Sequence, residues 1–372
     1  MIKILAPQST IGIIGAGQLG KMLAQSAQKF GYQVATYDPN PESCAFAVSN
    51  WHQVGSFDDE VALLDFCKKV DVLTYEFENI NGELLKKIES TVSLPQGTSL
   101  LLHSQNRLKE KSWLNSIHIK TAPYWEINSL EDLREALLQS GYPAVLKTNR
   151  FGYDGKGQMV IKSASNLADS NLLSLVNQNC ILEGFCDFIT EASIMVARDQ
   201  YGRIETFPIS ENNHQDGILF TSQAPADFSK EITDAITQSA HQIAEKAQLV
   251  GVLGIEFFVL NNQEVVVNEL APRPHNSGHY SIEGCNVSQF DQHILAVSGR
   301  PLAAVSCLAD AYMINLLGQD LDLIPSIWHD YPEAHVHLYQ KGEAKYNRKM
   351  GHITLLNESV AHKHTLTSRF DR

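Results

Sequence analysis

The stretch VVVNELAPRPHNSGHYS, Val265 to Ser281, opens as a buried strand and ends as a site. Its β-branched residues favour a pleated, covered strand. The run breaks at the carboxylate Glu269, and Arg273, His275, Asn276 and His279 follow in a loop punctuated by Pro272, Pro274 and Gly278. Just upstream, GVLGIEFFVLNNQ is a second apolar strand with Glu256 inside it, and Asn261-Asn262 is expected to turn the chain through a hairpin into Glu264. Two carboxylates on paired strands, each a polar exception in an apolar run, are what a hard cation such as magnesium requires.

With 372 residues, 44% of them hydrophobic, the chain has material for two or three domains, each with its own core. A formal net charge of -13 argues against nucleic acid and against an anionic membrane surface as partners, so an anionic substrate would need local Lys and Arg. No apolar run approaches the roughly 20 residues of a membrane span. The opening MIKILAPQSTIGIIG lacks a signal-peptide pattern, and a cytoplasmic location is expected. The six cysteines form no C-x-x-C pair and read as reduced core or loop residues. His275 and His279 have the i, i+4 spacing of metal ligands on a helix, but Pro274 and Asn-Ser-Gly argue against a helix there.

From the N-terminus, TIGIIGAGQLG is a strand opening into a glycine turn. Gly15, Gly17 and Gly20 fit G-x-G-x-x-G, with Asp38 where a ribose-binding acid would stand. The same geometry serves any phosphate, or only close helix packing. Expected helices near Asp59–Lys69 and Leu84–Ser90 alternate with strands Val72–Phe77 and Val92–Leu94, the pattern of a doubly wound α/β domain. Glu76 and Glu78 fall at the end of a strand, where ligands of such sheets lie; Glu78 reads equally well as a solvated strand end.

Ser104–Leu114 reads as a capped basic helix. Lys147 interrupts the apolar strand AVLKT and needs a partner, which a nucleotide phosphate would provide. In RFGYDGKGQ, three glycines and Lys156 make a loop able to close over phosphates. A polar helix is expected over Asn166–Gln178, and a long amphipathic one over Lys230–Leu249. Glu183 and Glu191 are spaced for an adenine and ribose pocket, or are surface carboxylates; His214 is uninformative alone. After an apolar helix Gln289–Val297 and a linker at Gly299-Arg300-Pro301, the remainder is strand-rich. There Lys341, Lys345, Arg348 and Lys349 form either a solvated turn or a phosphate-holding loop.

The segments IGAGQLGKML, TYEFEN, RFGYDGKGQ, ENNHQDGIL, GIEFFV, NELAPRPHNSGHYS and RKMGH, in that order, resemble the ATP-grasp enzymes, and within them the N5-carboxyaminoimidazole ribonucleotide synthetases of purine biosynthesis. The resemblance implies an α/β (overall α+β) architecture: a Rossmann-like pre-ATP-grasp domain at 1–103, an ATP-grasp domain at 104–299 with a lid at about 118–186, and a small strand-rich C-terminal domain at 300–372. It implies ATP bound by Arg107, Lys147, Gly152, Tyr153, Asp154, Gly155, Lys156, Gly157, Gln158, Glu183, Gly184, Phe185, Cys186, Glu191, His214, Asn268 and Glu269. Magnesium, as two ions, would be carried by Glu256 and Glu269. Aminoimidazole ribonucleotide would meet Gln18, Leu19, Glu76, Tyr153, Asp154, Arg273, His275, Asn276, Lys341 and Arg348, with Arg273, Lys156 and His275 as catalytic groups.

The implied reaction is ATP- and bicarbonate-dependent carboxylation of that ribonucleotide through carboxyphosphate, by a cytoplasmic homodimer. The glycine turn then binds no dinucleotide. Two departures from the family pattern are Asn106 in place of Asp, and Lys345-Tyr346-Asn347 in place of Arg-Pro-Gly. Other readings are a formate-dependent glycinamide ribonucleotide transformylase, a biotin carboxylase, a nicotinamide oxidoreductase, which leaves Glu256 and Glu269 unexplained, and a silent nucleotide-binding regulator.

Overall fold

The computed structural model describes residues 3–150, 152 and 157–370. The first sheet contains β1 (Thr10–Ile14), β2 (Gln33–Asp38), β3 (Trp51–Val54) and β4 (Val72–Tyr75), all parallel, in the order β3-β2-β1-β4. Ile11 and Ile13 face one core while Ile14, Tyr37 and Tyr75 face another, so helices cover both faces, as parallel sheets demand. The segment Val92–Leu94 is not a strand; it touches the edge of β4 through one bond, from Leu73 N–H to Ser93 O at 2.8 Å.

The second sheet is the small antiparallel β5 (Tyr124–Ile127), β6 (Ala144–Thr148), β7 (Gln158–Ile161) and β8 (Cys180–Gly184), in the order β5-β8-β6-β7. Leu133, Leu137, Leu146, Leu172 and Leu182 fill the space beneath its two helices. The expected polar helix is two pieces, a 3-10 turn Ala164–Ala168 and a helix Ser170–Val176. Asp169 separates them and caps the second by accepting from Asn171 N–H.

The third sheet organises the molecule. Its strands are β9 (Phe188–Arg198), β10 (Ile204–Thr206), β11 (Ser210–Gln215), β12 (Ile218–Ala224), β13 (Gly251–Leu260), β14 (Val265–Ala271), β15 (Ala311–Leu317), β16 (His335–Leu338) and β17 (Lys349–Leu356). They run β14-β13-β9-β11-β12-β15-β17-β16, with β10 beside β9. The C-terminal strands therefore continue the central sheet, through the antiparallel pairing of β12 with β15, and form no sheet of their own. The hairpin between β13 and β14 uses Asn261, Asn262 and Gln263, one residue more than the sequence led us to expect, with Gln263 at φ +65 closing the turn.

The helix Gln289–Val297, apolar by sequence, is a buried polar seam between the first sheet and the third. His293 Nε2 meets the Thr74 hydroxyl at 2.7 Å and its Nδ1 accepts from Val252 N–H at 3.2 Å. Asp291 accepts from Ser26 at 2.7 Å and from Lys29 at 3.0 Å. Among the described residues, no helix is long and apolar enough to cross a membrane.

At the glycine turn, Gly15 sits at φ +93, and a methyl on Gly20 would come within 2.6 Å of Gly15 O. Helix propensity alone favours alanine over glycine by about 1 kcal/mol. The clash is with backbone, so Gly20→Ala should instead lower stability by about 1–3 kcal/mol. Urea unfolding measures this, and an unchanged or raised midpoint would contradict the packing role.

Candidate active site

Glu256 on β13 lies directly opposite Glu269 on β14, and the register slips by one residue immediately after Glu256. The extra residue is Asn268. Such a bulge breaks the in-out alternation of a strand and re-aims side chains; here both Asn268 and Glu269 are half-buried while Val267 and Leu270 on either side are buried. Burial and the neighbouring Glu269 push the Glu256 carboxyl up to about 7. Two facing carboxylates on a bulged strand pair suit a hard divalent cation. Among the described residues, no cluster of three or more His, Cys, Asp or Glu side chains could hold a metal, so further ligands would come from Asn268, water or substrate oxygens.

A helix at Arg107–Ser116 lays one face against this pair. Asn106 caps it by accepting from Lys109 N–H at 3.0 Å, so asparagine performs here the capping role open to Asp. Arg107 meets Glu269 at 3.3 Å. One turn on, Glu110 accepts from Leu270 N–H at 3.3 Å. Burial and then Glu269 raise the Glu110 carboxyl to about 8, which makes it a neutral partner of the carboxylate strand. Lys111, 1% exposed, contacts Glu183 Oε1 at 3.3 Å and donates to Asn268 O at 3.4 Å. Glu183 Oε2 accepts from Lys147 at 2.8 Å. Burial alone would raise the Glu183 carboxyl, but Lys147 and Lys111 hold it down at about 2.

Lys147 pairs in register with Gln158 across β6 and β7, and Gly157, at φ +73, accepts from Thr148 N–H at 2.8 Å. These are the shoulders of the glycine loop; Gly152 lies in irregular chain, and Tyr153, Asp154, Gly155 and Lys156 lie outside the described residues. Gly184 ends β8, and the exposed Phe185 and half-buried Cys186 lead into β9. Glu191 on β9 and His214 on β11 are hydrogen-bonded to each other. Burial lowers the His214 pKa, but the bond to Glu191 and the nearby Glu256 raise it overall.

On the other side, Arg273 binds Glu78 at 3.0 Å and donates to Pro274 O at 3.1 Å. Glu78 is thus a structural anchor for Arg273, not a solvated strand end. His275 Nε2 stands 3.5 Å from Glu256 Oε1. Its Nδ1 meets the Ser277 hydroxyl at 2.9 Å. Burial, then Arg273 and Lys349, lower its pKa well below the ordinary value, so the ring is neutral. Asn276 Nδ2 is buried with no hydrogen-bond partner among the described residues. His279 is separated from His275 in role: it is buried, its ring 4.8 Å from that of His352 in a tilted contact, and bonded to Gln289 at 3.1 Å.

The glycine turn closes the far edge. Glu76, buried, accepts from Gly17 N–H at 2.8 Å at the start of the helix Gln18–Lys29, where a dinucleotide phosphate would sit. Asp38 accepts from Ala16 N–H, Asn40 N–H and the Ser43 hydroxyl, so its carboxylate is engaged in holding the turn. Burial raises the Glu76 carboxyl to about 7, against the pull of Gly17 N–H and Arg273. Gln18 opens the helix; Leu19 packs into the core, so its side chain offers a substrate nothing. Lys341 is close enough to Glu76 and Arg348 to feel both, and burial followed by Arg348 lowers its pKa.

Sequence reading passed over Glu110 and Lys111, although they share one helical face with Arg107 at i+3 and i+4. Because Glu110 has a raised folded-state pKa, its own contribution to stability should be full at and below the ordinary carboxylate range and be lost as pH rises through about 8. Glu110→Gln should therefore decline less steeply than wild type over that range. Urea midpoints for both proteins between pH 5 and 9 test this; parallel curves would contradict a neutral Glu110.

Models of three families match in sequence order: the ribonucleotide synthetase preATP-grasp domain over residues 8–103, the ATP-grasp domain over 112–290, and the phosphoribosylaminoimidazole carboxylase C-terminal domain over 311–364. The chain is 44% identical over 352 residues, 94% of its own length and 93% of the relative's, to N5-carboxyaminoimidazole ribonucleotide synthase of Staphylococcus haemolyticus. It resembles the Staphylococcus aureus synthetase complexed with ADP at TM-score 0.94 and 41% identity, covering 98% and 97% of the two chains. The Aspergillus clavatus synthase, solved with ADP and 5-aminoimidazole ribonucleotide, matches at TM-score 0.89 and 30% identity, over 97% and 98%. The chain belongs to the N5-carboxyaminoimidazole ribonucleotide synthase family of ATP-grasp carbon-nitrogen ligases.

Proposed function

We propose that this chain uses ATP and bicarbonate to carboxylate the exocyclic amine of 5-aminoimidazole ribonucleotide, releasing ADP and phosphate, and that the cleft around Glu256 and Glu269 is where it does so. The observation that carries the reading is the position of that pair. Nucleotide-suited cations, Arg107 and Lys147, stand on one side, and Arg273, His275 and Asn276 on the other. Relatives solved with ADP, and with ADP and the ribonucleotide, support the same pairing of substrates.

Bicarbonate is a poor electrophile. An oxygen of bicarbonate attacks the γ-phosphorus, ADP leaves, and carboxyphosphate forms. The amine nitrogen then attacks the carboxyl carbon, or carbon dioxide released beside it; the C–O bond to phosphate breaks, phosphate leaves with the electron pair, and the amine gives up a proton. Glu256 and Glu269 would hold magnesium, which when bound neutralises charge on the β- and γ-phosphates. Arg273, fixed by Glu78, presents a permanent cation where charge develops on carboxyphosphate. The neutral, low-pKa His275 is a weak base, which favours orienting the acceptor over removing its proton. The orphaned Asn276 amide offers a donor to that substrate. Gln18, Lys341 and Arg348 would receive its phosphate at the glycine turn.

Two outcomes are expected. ADP formation should require aminoimidazole ribonucleotide and bicarbonate together, and heavy oxygen in bicarbonate should appear in the released phosphate; ADP formation with neither substrate, or unlabelled phosphate, would contradict the route. Arg273→Ala should lower kcat by about a hundredfold, and an unchanged kcat would remove Arg273 from the chemistry.

A further inference from the structure

Lys111 is too deeply buried, at 1% exposure, to reach a ligand. Its ammonium instead lies 3.3 Å from Glu183 Oε1, while Lys147 holds Glu183 Oε2 at 2.8 Å. One carboxylate is thus shared by two ammonium groups, hydrogen-bonded by Lys147 and in ionic contact, without a hydrogen bond, with Lys111, and the cluster carries a net positive charge. Without Lys111, Glu183 and Lys147 would form a closed neutral pair, and a phosphate arriving at Lys147 would find its charge already spent on Glu183. Breaking a buried pair from one side is costly, so a shared carboxylate is a stable way to keep one ammonium only half satisfied.

The same Lys111 ammonium donates to Asn268 O at 3.4 Å, on the bulge beside Glu269. Lys147 and Glu183 stand on the small sheet, Lys111 on the helix Arg107–Ser116, and Asn268 on the central sheet. The three charges therefore bridge the small sheet to the metal-suited strand, across the seam where a nucleotide would lie.

We propose that Lys111 is a positioning residue for the nucleotide: by sharing Glu183 with Lys147 it leaves the Lys147 ammonium charge available to a phosphate, and it holds that ammonium in register with Asn268 and Glu269. The inference rests on the nucleotide reading of Lys147 given above, and it needs no particular acceptor amine.

The test uses the full chain. ADP affinity is measured by calorimetry, and KM for ATP and kcat by ADP release, for wild type, Lys111→Met and Lys111→Arg. Lys111→Met should weaken ADP binding and raise KM for ATP by about tenfold or more, as expected for loss of a unit charge near a half-buried anion site. Its kcat and its KM for the ribonucleotide should stay near wild type, and Lys111→Arg should restore nucleotide affinity. Wild-type ADP affinity in Lys111→Met, loss in Lys111→Arg as large as in Lys111→Met, or a fall in kcat with KM for ATP unchanged would each overturn the proposal. If Lys111→Met does not fold, Lys111→Gln, which keeps a donor for Asn268 O, carries the same expectation. Failure of both to fold would make Lys111 a structural brace and also overturn it. If wild type binds ADP but does not carboxylate aminoimidazole ribonucleotide while Lys111→Met loses ADP, the proposed reaction fails and this inference stands.

Discussion

Two carboxylates facing each other across paired strands repel, and the one more removed from water also loses hydration. Glu256 and Glu269 are in that position, and Glu256, the more covered of the two, shows the cost in its raised pKa. The surrounding architecture delivers positive charge to them from separate parts of the chain. Arg107 arrives on a helix before the small sheet, His214 on β11, and Lys349 on β17, near enough to Glu256 to favour its ionisation. By continuing the central sheet through β12 and β15, β17 brings Lys349 near enough to Glu256 to act on it.

The N-terminal domain serves the same cleft. Its glycine turn is shaped for an anion, but the chain fills it with its own Glu76 carboxyl, which takes Gly17 N–H. Lys341 lies near enough to Glu76 and to Arg348 to feel both, so positive charge gathers at that corner beside the carboxyl. Gln96 ties the domain to the loop, donating to Pro272 O at 2.9 Å while accepting from Thr74 and Tyr75 at the end of β4. The loop after Glu269 is therefore held from both sheets, and Arg273 and His275 are set by packing.

Glu256 and Glu269 were legible in the sequence because each is a carboxylate inside an apolar run, and the alternation of strands and helices exposed the doubly wound first domain. Less was visible where a residue's role depends on a distant partner. Lys111 looks like one more lysine on a basic helix, since periodicity cannot tell a solvated ammonium from one buried against Glu183. Glu78 resembled a surface acid because Arg273, its partner, is far along the chain. Helix Gln289–Val297 read as apolar because buried His293 and Asp291 are satisfied by groups on the first domain. The join between β12 and β15 left no local mark, since strand pairing is set by tertiary contact.

The central claim is that Glu256 and Glu269 act together on one cation-nucleotide complex. Manganese in place of magnesium, followed by electron paramagnetic resonance in the presence of ADP, tests it directly on wild type, Glu256→Gln and Glu269→Gln. The account predicts that nucleotide-dependent manganese binding weakens by about tenfold or more in each variant. Wild-type manganese affinity in both variants would contradict it.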